Sequence, residues 1–148
     1  MQRAIKNLSA LGAVPFYLFL TVFIFLIGNY STFLQLLIGF AASYGIVIAI
    51  RSVYYRPRPR PENYSSIIEK IDASSFPSLH SLRITMISVI LVYSYNSLLA
   101  ILFFSLVSIS VCYTRYYLKR HYFSDIIAGI SLGLIEGFLI VMLTSRIL

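Results

Sequence analysis

Apolar residues occur in five long runs along the chain, separated by short polar stretches. The runs cover residues 11–27, 33–50, 77–95, 98–113 and 126–143. Each is close to the length of about 17–25 residues that a helix needs to cross a bilayer. Because the connections are too short for a second folded unit, residues 1–148 are predicted to form one domain. The pattern therefore predicts an all-α fold, a polytopic membrane bundle of about five transmembrane helices.

Composition and charge placement agree with a membrane protein. The 148 residues are 59% hydrophobic, against about 45–50% in ordinary soluble domains. The net charge of +7 could indicate nucleic-acid binding, but the cations cluster at the ends of the apolar runs among tyrosines, an arrangement typical of a membrane interface. The tyrosines are Tyr54, Tyr55, Tyr113, Tyr116, Tyr117 and Tyr122. We therefore expect the bilayer and a phosphate-bearing lipid as partners, and no nucleic acid.

The polar chemistry is concentrated on one side of the predicted membrane. Consecutive spans reverse direction, so the N-terminus, residues 51–80 and residues 114–125 fall on the same side. That side holds every lysine and arginine except Arg146, both histidines, and every acidic residue except Glu136. A functional site is therefore expected on this face.

The two histidines stand in distinctive surroundings. His80 follows Pro77 and Ser78 at the predicted start of the third apolar helix. The free N–H groups and partial positive charge of a helix N-terminus favour an anion there, which would lie near Ser78, Leu79 and His80. This pattern predicts an anion site at residues 78–80.

His121 lies four residues before Asp125. If the last helix begins nearby, the two side chains share a face, and the carboxylate can hold the imidazole in one tautomer. A histidine oriented in this way can serve as a nucleophile or a base. A single histidine at an interface is often only part of an amphipathic surface, and an arginine-rich loop often only sets topology. The convergence of both histidines, an aspartate and several arginines on one face favours a catalytic site.

With these stretches in view, the chain resembles the type 2 phosphatidic acid phosphatase family, whose motifs are K-x6-R-P, P-S-G-H and S-R-x5-H-x3-D. The corresponding residues here are Arg51 with Arg58-Pro59, then Pro77-Ser78-Leu79-His80, then Thr114-Arg115 with His121 and Asp125. Arg51, Thr114 and Leu79 depart from the lysine, serine and glycine of the family pattern. Arginine keeps the charge and threonine keeps the hydroxyl, whereas leucine can serve only if the backbone does not need a positive φ.

The resemblance implies a division of labour in the site. His121 would attack phosphorus to form a phosphohistidine, with Asp125 fixing its tautomer, and His80 would protonate the leaving oxygen. The phosphate would be bound by Arg51, Arg58, Ser78, Leu79 and Arg115. The motif spacing selects Arg58, leaving Arg56 and Arg60 as flanking interfacial cations. Arg83, three residues after His80, is expected to touch the substrate headgroup. Neither a metal nor another cofactor is expected.

The resemblance also implies candidate substrates and a location. Substrates would be phosphatidylglycerol phosphate, polyprenyl pyrophosphate, phosphatidic acid or the 1-phosphate of lipid A. Two alternatives stay open: a lipid phosphotransferase using the same phosphohistidine, and a non-enzymatic lipid-phosphate binding or flipping protein. The positive-inside rule would place the charged face in the cytoplasm, whereas most bacterial relatives work on the outer side of the inner membrane. We expect an inner-membrane protein with an extracytoplasmic site.

The last apolar run carries two further features. Glu136 lies eleven residues beyond Asp125, about 16 Å deeper along a helix. It would be either a structural carboxyl or part of a substrate or proton path. Gly129, Gly133 and Gly137 recur at four-residue steps, a spacing that suits close helix packing in membranes.

Overall fold

The computed structural model describes residues 2–60 and 63–146, and these form seven helices without a β-strand. In chain order they are α1 (Gln2–Ala10), α2 (Val14–Leu26), α3 (Tyr30–Val53), α4 (Ile67–Ala73), α5 (Leu79–Tyr95), α6 (Leu98–Tyr117) and α7 (Phe123–Thr144). The predicted all-helical architecture is thus confirmed for the described part of the chain.

Polar residues between the apolar runs fix where the helices begin and end. The Asn29 side chain accepts a hydrogen bond of 3.1 Å from the Thr32 amide at the start of α3. Ser97 accepts one of the same length from the Ala100 amide at the start of α6. α5 ends at Asn96, which adopts the left-handed conformation with φ 42°. These are the usual N-cap and C-cap devices, and they keep the connections between the long helices short.

Three of the helices, α3, α6 and α7, are long and apolar enough to cross a membrane. α1 and α2 would together make a fourth span, but they are bent by 49° at the break between them. Gly12 and Pro15 account for that break, since proline suits the first turn of a helix. α5 is apolar but shorter, at 17 residues. The count of five transmembrane helices therefore stays a prediction.

α5 is the central column of the bundle. It packs against α3, α6 and α7, and its residues 81–88 are buried on every side. The approach of α7 is closest: a Cβ built on Gly129 would lie 2.5 Å from the Ser78 carbonyl oxygen, and one on Gly133 would collide with the carbonyl of Leu82. The close packing expected of the glycine series is confirmed, and it fixes α7 against the start of α5.

The sequence pattern did not reveal α1 or α4. α4 is a short helix of about two turns in the polar segment between α3 and α5. Ser66 caps its start, where the Ser66 hydroxyl accepts a hydrogen bond of 3.2 Å from the Glu69 amide. α1 packs against α6, where Nη1 of Arg115 donates to the Ser9 hydroxyl at 2.8 Å. Both helices border the face on which the site was expected.

Candidate active site

Backbone carbonyls at the end of α4 and just before α5 hold two of the predicted phosphate-binding arginines. Arg51, at the end of α3, is 6% exposed and donates from Nη2 to the Pro77 oxygen at 2.9 Å. Its Nη1 donates to the Asp72 oxygen at 3.3 Å. Nη2 of Arg58 donates to the same Asp72 oxygen at 2.7 Å. The two guanidinium groups are thereby brought to one place, and their binding of phosphate stays a prediction.

His121 lies in the connection between α6 and α7 and is only 3% exposed. Its Nδ1 is 2.7 Å from the Ser75 carbonyl oxygen. Because a carbonyl can only accept, Nδ1 carries the proton and Nε2 keeps its lone pair. Burial first, and then the nearby positive charge of Arg115, lower the pKa of His121 from 6.5 to about 3. The imidazole is therefore neutral near pH 7, the state that a nucleophile requires.

The predicted hydrogen bond between Asp125 and His121 is not made in this structure. The Asp125 Oδ2 atom is 3.9 Å from Nδ1 of His121, beyond hydrogen-bonding distance. That oxygen instead accepts the Tyr122 amide at 2.8 Å and the Ser75 hydroxyl. Asp125 is the third residue of α7 and turns back to cap the helix start, so the orienting role falls to the carbonyl of Ser75.

Arg56 corrects a second expectation, because it is part of the site wall rather than a flanking interfacial cation. Its Nη1 donates to Oδ1 of Asp125 and to the Ser124 hydroxyl, both at 2.7 Å. Its guanidinium carbon lies 4.2 Å from the centre of the Tyr122 ring. Asp125 is fully buried, and a buried carboxylate needs a charged or hydrogen-bonding partner. The sequence could indicate that Asp125 has a cationic partner, but it could not indicate which arginine that partner is.

Ser78 caps α5 and ties it to α7. Its hydroxyl oxygen accepts the Ser81 hydroxyl at 2.9 Å and the Ser81 amide at 3.4 Å. Its own amide donates to the Asp125 carbonyl at 3.0 Å, so that amide is used within the protein. The N–H groups of Leu79 and His80 belong to the first turn of the helix, where no intrahelical acceptor exists. An anion at this end of α5 would be met by those two amides.

His80 is half-buried under the turn that joins α1 and α2. A Cβ built on Gly12 would lie 3.1 Å from Cδ2 of His80, so this glycine permits the close cover. His80 also lies within electrostatic range of Arg115 and His121. The structure thus brings the two histidines together, and it adds Ser9 and Gly12, which sequence reasoning had missed because α1 was not predicted.

Arg83 and Glu136 lie deeper, inside the bundle. Arg83 is 2% exposed, with its guanidinium carbon 4.5 Å from the Tyr44 ring centre, and its contact with a headgroup stays a prediction. Glu136 accepts the Ser43 hydroxyl at 3.1 Å. In the described ranges, no group of three or more histidine, cysteine, aspartate or glutamate side chains could hold a metal ion.

The PAP2 superfamily model matches residues 32–147, a stretch that contains every side chain of the site except those contributed by α1 and its turn. The chain belongs to the PAP2 superfamily. The matched stretch begins in α3 and includes all three motif regions. No curated protein matches the sequence as a relative.

Two crystal structures share the fold. One is a transmembrane PAP2-type phosphatidylglycerolphosphate phosphatase from Bacillus subtilis, with a TM-score of 0.79 and 24% sequence identity, covering 99% of this chain and 77% of that one. The other is Aquifex aeolicus LpxE, with a TM-score of 0.77 and 20% identity, covering 93% of this chain and 83% of that one. The apolar helices and this likeness identify the chain as an integral membrane protein with the PAP2 fold.

Proposed function

We propose that this PAP2 protein hydrolyses the phosphate or pyrophosphate of a membrane lipid through a phosphohistidine on His121. The observation that carries the proposal is the state of the His121 ring. Its Nδ1 is committed to the Ser75 carbonyl, its Nε2 holds the lone pair, and the positive charges of Arg115, Arg58 and Arg51 all act on it. A neutral imidazole surrounded by guanidinium groups is suited to attack a phosphate.

The arginines supply the electrostatic part of catalysis. Phosphoryl transfer spreads negative charge over three oxygens, so positioning and charge stabilisation carry most of the rate enhancement. Nε of Arg51 is buried and takes no partner among the described residues. A buried donor of this kind is costly to leave unpaired, and a substrate oxygen would satisfy it. Arg58, Arg115 and the first-turn amides of α5 complete the proposed clamp.

Each step of the proposed reaction balances with the side chains in place. Nε2 of His121 attacks phosphorus as the bond to the leaving oxygen breaks, and His80, which takes up a proton when the negatively charged phosphate binds beside it, gives that oxygen its proton. Neutral His80 then takes a proton from water, whose oxygen attacks phosphorus and breaks the P–N bond. Inorganic phosphate leaves, and both histidines return to their starting states. Asp125, which is bonded to Arg56, supports the His121 ring indirectly by capping the start of α7.

The substrate class follows from the place of the site in the fold. The proposed bundle crosses the membrane five times, with α5 and the bent α1–α2 pair adding to the three long spans. The site then lies at one membrane interface, where the phosphate of a lipid would reach it. Phosphatidylglycerol phosphate, polyprenyl pyrophosphate, phosphatidic acid and lipid A 1-phosphate are the candidates to assay.

The test combines phosphate release with trapping of the intermediate. Purified protein in detergent should release phosphate from at least one lipid of that panel, and His121→Ala and His80→Ala should each lower turnover by orders of magnitude. Label from a phosphate-labelled substrate should stay on the protein after an alkaline quench and be lost after an acid quench, because phosphohistidine is acid-labile.

The controls separate loss of chemistry from loss of fold. Each variant should give the same size-exclusion profile and remain in the membrane fraction. Near-normal turnover in His121→Ala would end the proposal. If label moves to an added alcohol and no free phosphate appears, the protein is a phosphotransferase that uses the same intermediate.

A further inference from the structure

α4 presents an aliphatic face to the outside of the protein, although it lies in the polar connection between two apolar helices. Ile67 and Ile68, in its first turn, are 79% and 81% exposed. Ala73, at the other end of the helix, is buried and lies about 120° and 140° around the helix axis from these two residues. α4 therefore packs on the bundle with its alanine side and turns both isoleucines outward, where the described part of the chain leaves them uncovered.

α4 lies beside the end of a membrane span. It packs against α3, which is long and apolar enough to cross a bilayer. Nη1 of Arg51, in the last turn of α3, lies 3.4 Å from the main-chain oxygen of Ile71 in α4. α4 is thereby held at the level where the span ends. Val53 and Tyr54, at the same end of α3, are also exposed, so this edge of the protein is already apolar.

The polar side chains of α4 leave the isoleucine face free of charge. Oε2 of Glu69 accepts the Ser65 amide at 2.6 Å and the Ser65 hydroxyl at 2.7 Å, so this carboxylate is bonded at the start of the helix. Nζ of Lys70 lies 5.4 Å from the centre of the Tyr55 ring. A helix with aliphatic residues on one face and charged residues on the other lies in the plane of a membrane interface. α4 has this character, and the spans on either side already hold it at the membrane.

The size of the face favours lipid over a second copy of the chain. Specific protein–protein interfaces bury about 1,000 Å2 or more, which two aliphatic side chains cannot provide. A bilayer has no such requirement, because each side chain that leaves water contributes on its own. Lipid also surrounds α3, against which α4 packs.

We infer that α4 is an interfacial anchor, with Ile67 and Ile68 inserted among the lipid chains beside the end of α3. Residues 71–77, at the end of α4 and just after it, carry the main-chain oxygens that bind two arginines and His121 of the site. Insertion of α4 therefore fixes one end of the segment that positions these side chains. The contact with lipid is independent of the reaction, whereas its effect on turnover rests on the proposed function.

Tryptophan fluorescence tests the contact directly, because the chain contains no tryptophan. In vesicles of phosphatidylcholine that carries bromine on its acyl chains, Ile68→Trp should lose most of its emission relative to vesicles without bromine. Asn63→Trp, at an exposed position of the same connection, is the matched control and should lose little. Leu102→Trp, at an exposed position in the span α6, should be quenched and shows that the lipid reaches the protein.

Two results would overturn the anchor. One is equal quenching of Ile68→Trp and Asn63→Trp. The other is quenching of Leu102→Trp without quenching of Ile68→Trp. If, in the second case, Ile68→Cys in a Cys112→Ala background also forms a disulfide between copies, a second copy of the chain covers the face in place of lipid.

A pair of double variants tests the link between the anchor and the site. Ile67→Ser with Ile68→Ser should lower kcat/KM on a lipid phosphate in vesicles by about tenfold, because serine gains little on leaving water. Ile67→Leu with Ile68→Leu keeps the apolar area and should keep the wild-type rate. Both proteins should retain the wild-type size-exclusion profile, since neither isoleucine is buried in the bundle.

A wild-type rate in the serine variant, or an equal loss in the serine and leucine variants, would contradict the link between lipid contact and the site. If the wild type releases phosphate from no lipid of the panel, the proposed function fails. The fluorescence measurement still decides whether α4 is inserted, because it needs no turnover.

Discussion

Arg56 and Arg60 belong to the same arginine-proline run but lie in different surroundings. The Arg56 side chain binds Asp125 and lies over the Tyr122 ring. The Arg60 side chain is exposed, and its backbone amide donates to the Lys119 carbonyl at 3.2 Å. The two residues look equivalent in the sequence, where both are expected to serve the membrane surface. Only Arg60 keeps that role.

Replacing Arg56 should therefore damage the site, whereas replacing Arg60 should not. Arg56→Ala removes a charge-assisted hydrogen bond from a buried carboxylate, which we expect to lower the free energy of unfolding by about 1.5–3 kcal/mol. The α7 cap and the Ser75 loop would shift, and turnover should fall by about ten- to hundredfold. Unfolding in detergent and phosphate release measure the two effects.

Arg60→Ala is the matched control and should only weaken attraction to anionic lipid, by about 1 kcal/mol. Arg58→Ala should abolish turnover with little change in unfolding. Equal turnover in the Arg56 and Arg60 variants would contradict the role assigned to the ion pair.

His121 should make stability depend on pH in a defined window. Its pKa is about 3 in the folded protein and about 6.5 in an unfolded chain. Between these values the unfolded state binds a proton that the folded state does not, so stability falls as the pH drops from about 6.5 toward 3 and is unaffected by this group above that window.

His121→Asn removes the titrating group, so its stability should decline less than that of the wild type when unfolding is measured at about pH 7 and again at about pH 4.5. Parallel declines would mean that His121 is not held neutral. The sequence indicates that His121 lies near Asp125, but the hydrogen bond expected between them is not made, and the sequence does not identify Ser75 as the acceptor. That contact joins residues 46 positions apart through a carbonyl, and every residue type carries a carbonyl.

At the scale of elements, the contact between α5 and α7 is set by small residues. Gly133→Ala would push a methyl group into the backbone at Leu82, so we expect a loss of about 1–3 kcal/mol in unfolding free energy. Gly45→Ala is the matched control: it lies on α3, where an added methyl group would meet no heavy atom within 4 Å, and it should stabilise the helix by about 0.5–1 kcal/mol.

Thermal unfolding of both variants in the same detergent tests the pair. If Gly133→Ala is as stable as Gly45→Ala, the two helices are not in close backbone contact. A smaller loss of unfolding free energy in Gly133→Ala, with full activity, would still support the contact. It would show that α7 moves outward without disturbing its N-terminal cap.

The long apolar runs predict the long helices well, because a helix that crosses a bilayer must be apolar over many turns. α3, α6 and α7 coincide with predicted runs. α4 was missed because seven residues carry too little pattern. α1 was missed because Gln2–Ala10 is polar on one side and precedes the apolar run. Its position depends on the contact between Ser9 and Arg115, which joins distant parts of the chain.

At the scale of the whole molecule, the internal contacts change how the charges should be counted. Arg51, Arg56 and Arg83 all lie against other parts of the protein, and Arg58 and Arg115 are held in the same way. These five cannot be counted as topology signals. The charge asymmetry that favours a cytoplasmic site is therefore weaker than the sequence indicates, and we expect the site to face the outside of the cell.

Cysteine labelling tests that orientation. In a Cys112→Ala background, Asn63→Cys lies on the side of the site and Asn96→Cys at the far end of α5, and both positions are exposed. An impermeant maleimide added to intact cells should label the Asn63→Cys protein and spare the Asn96→Cys protein. The reverse pattern would place the site in the cytoplasm. Labelling after lysis should reach both proteins and serves as the control.

The carbonyls that hold Arg51, Arg58 and His121 have an evolutionary consequence. These side chains bond to main-chain oxygens of Ile71, Asp72, Ser75 and Pro77. Every residue type carries a main-chain oxygen, so a substitution at one of these positions does not remove it. Point changes at Ile71 or Asp72 should pass almost unnoticed by selection, whereas insertion or deletion of one residue there would displace every oxygen at once. Descendants of this protein should therefore differ in the residue types at positions 71–77 while the number of residues there stays the same.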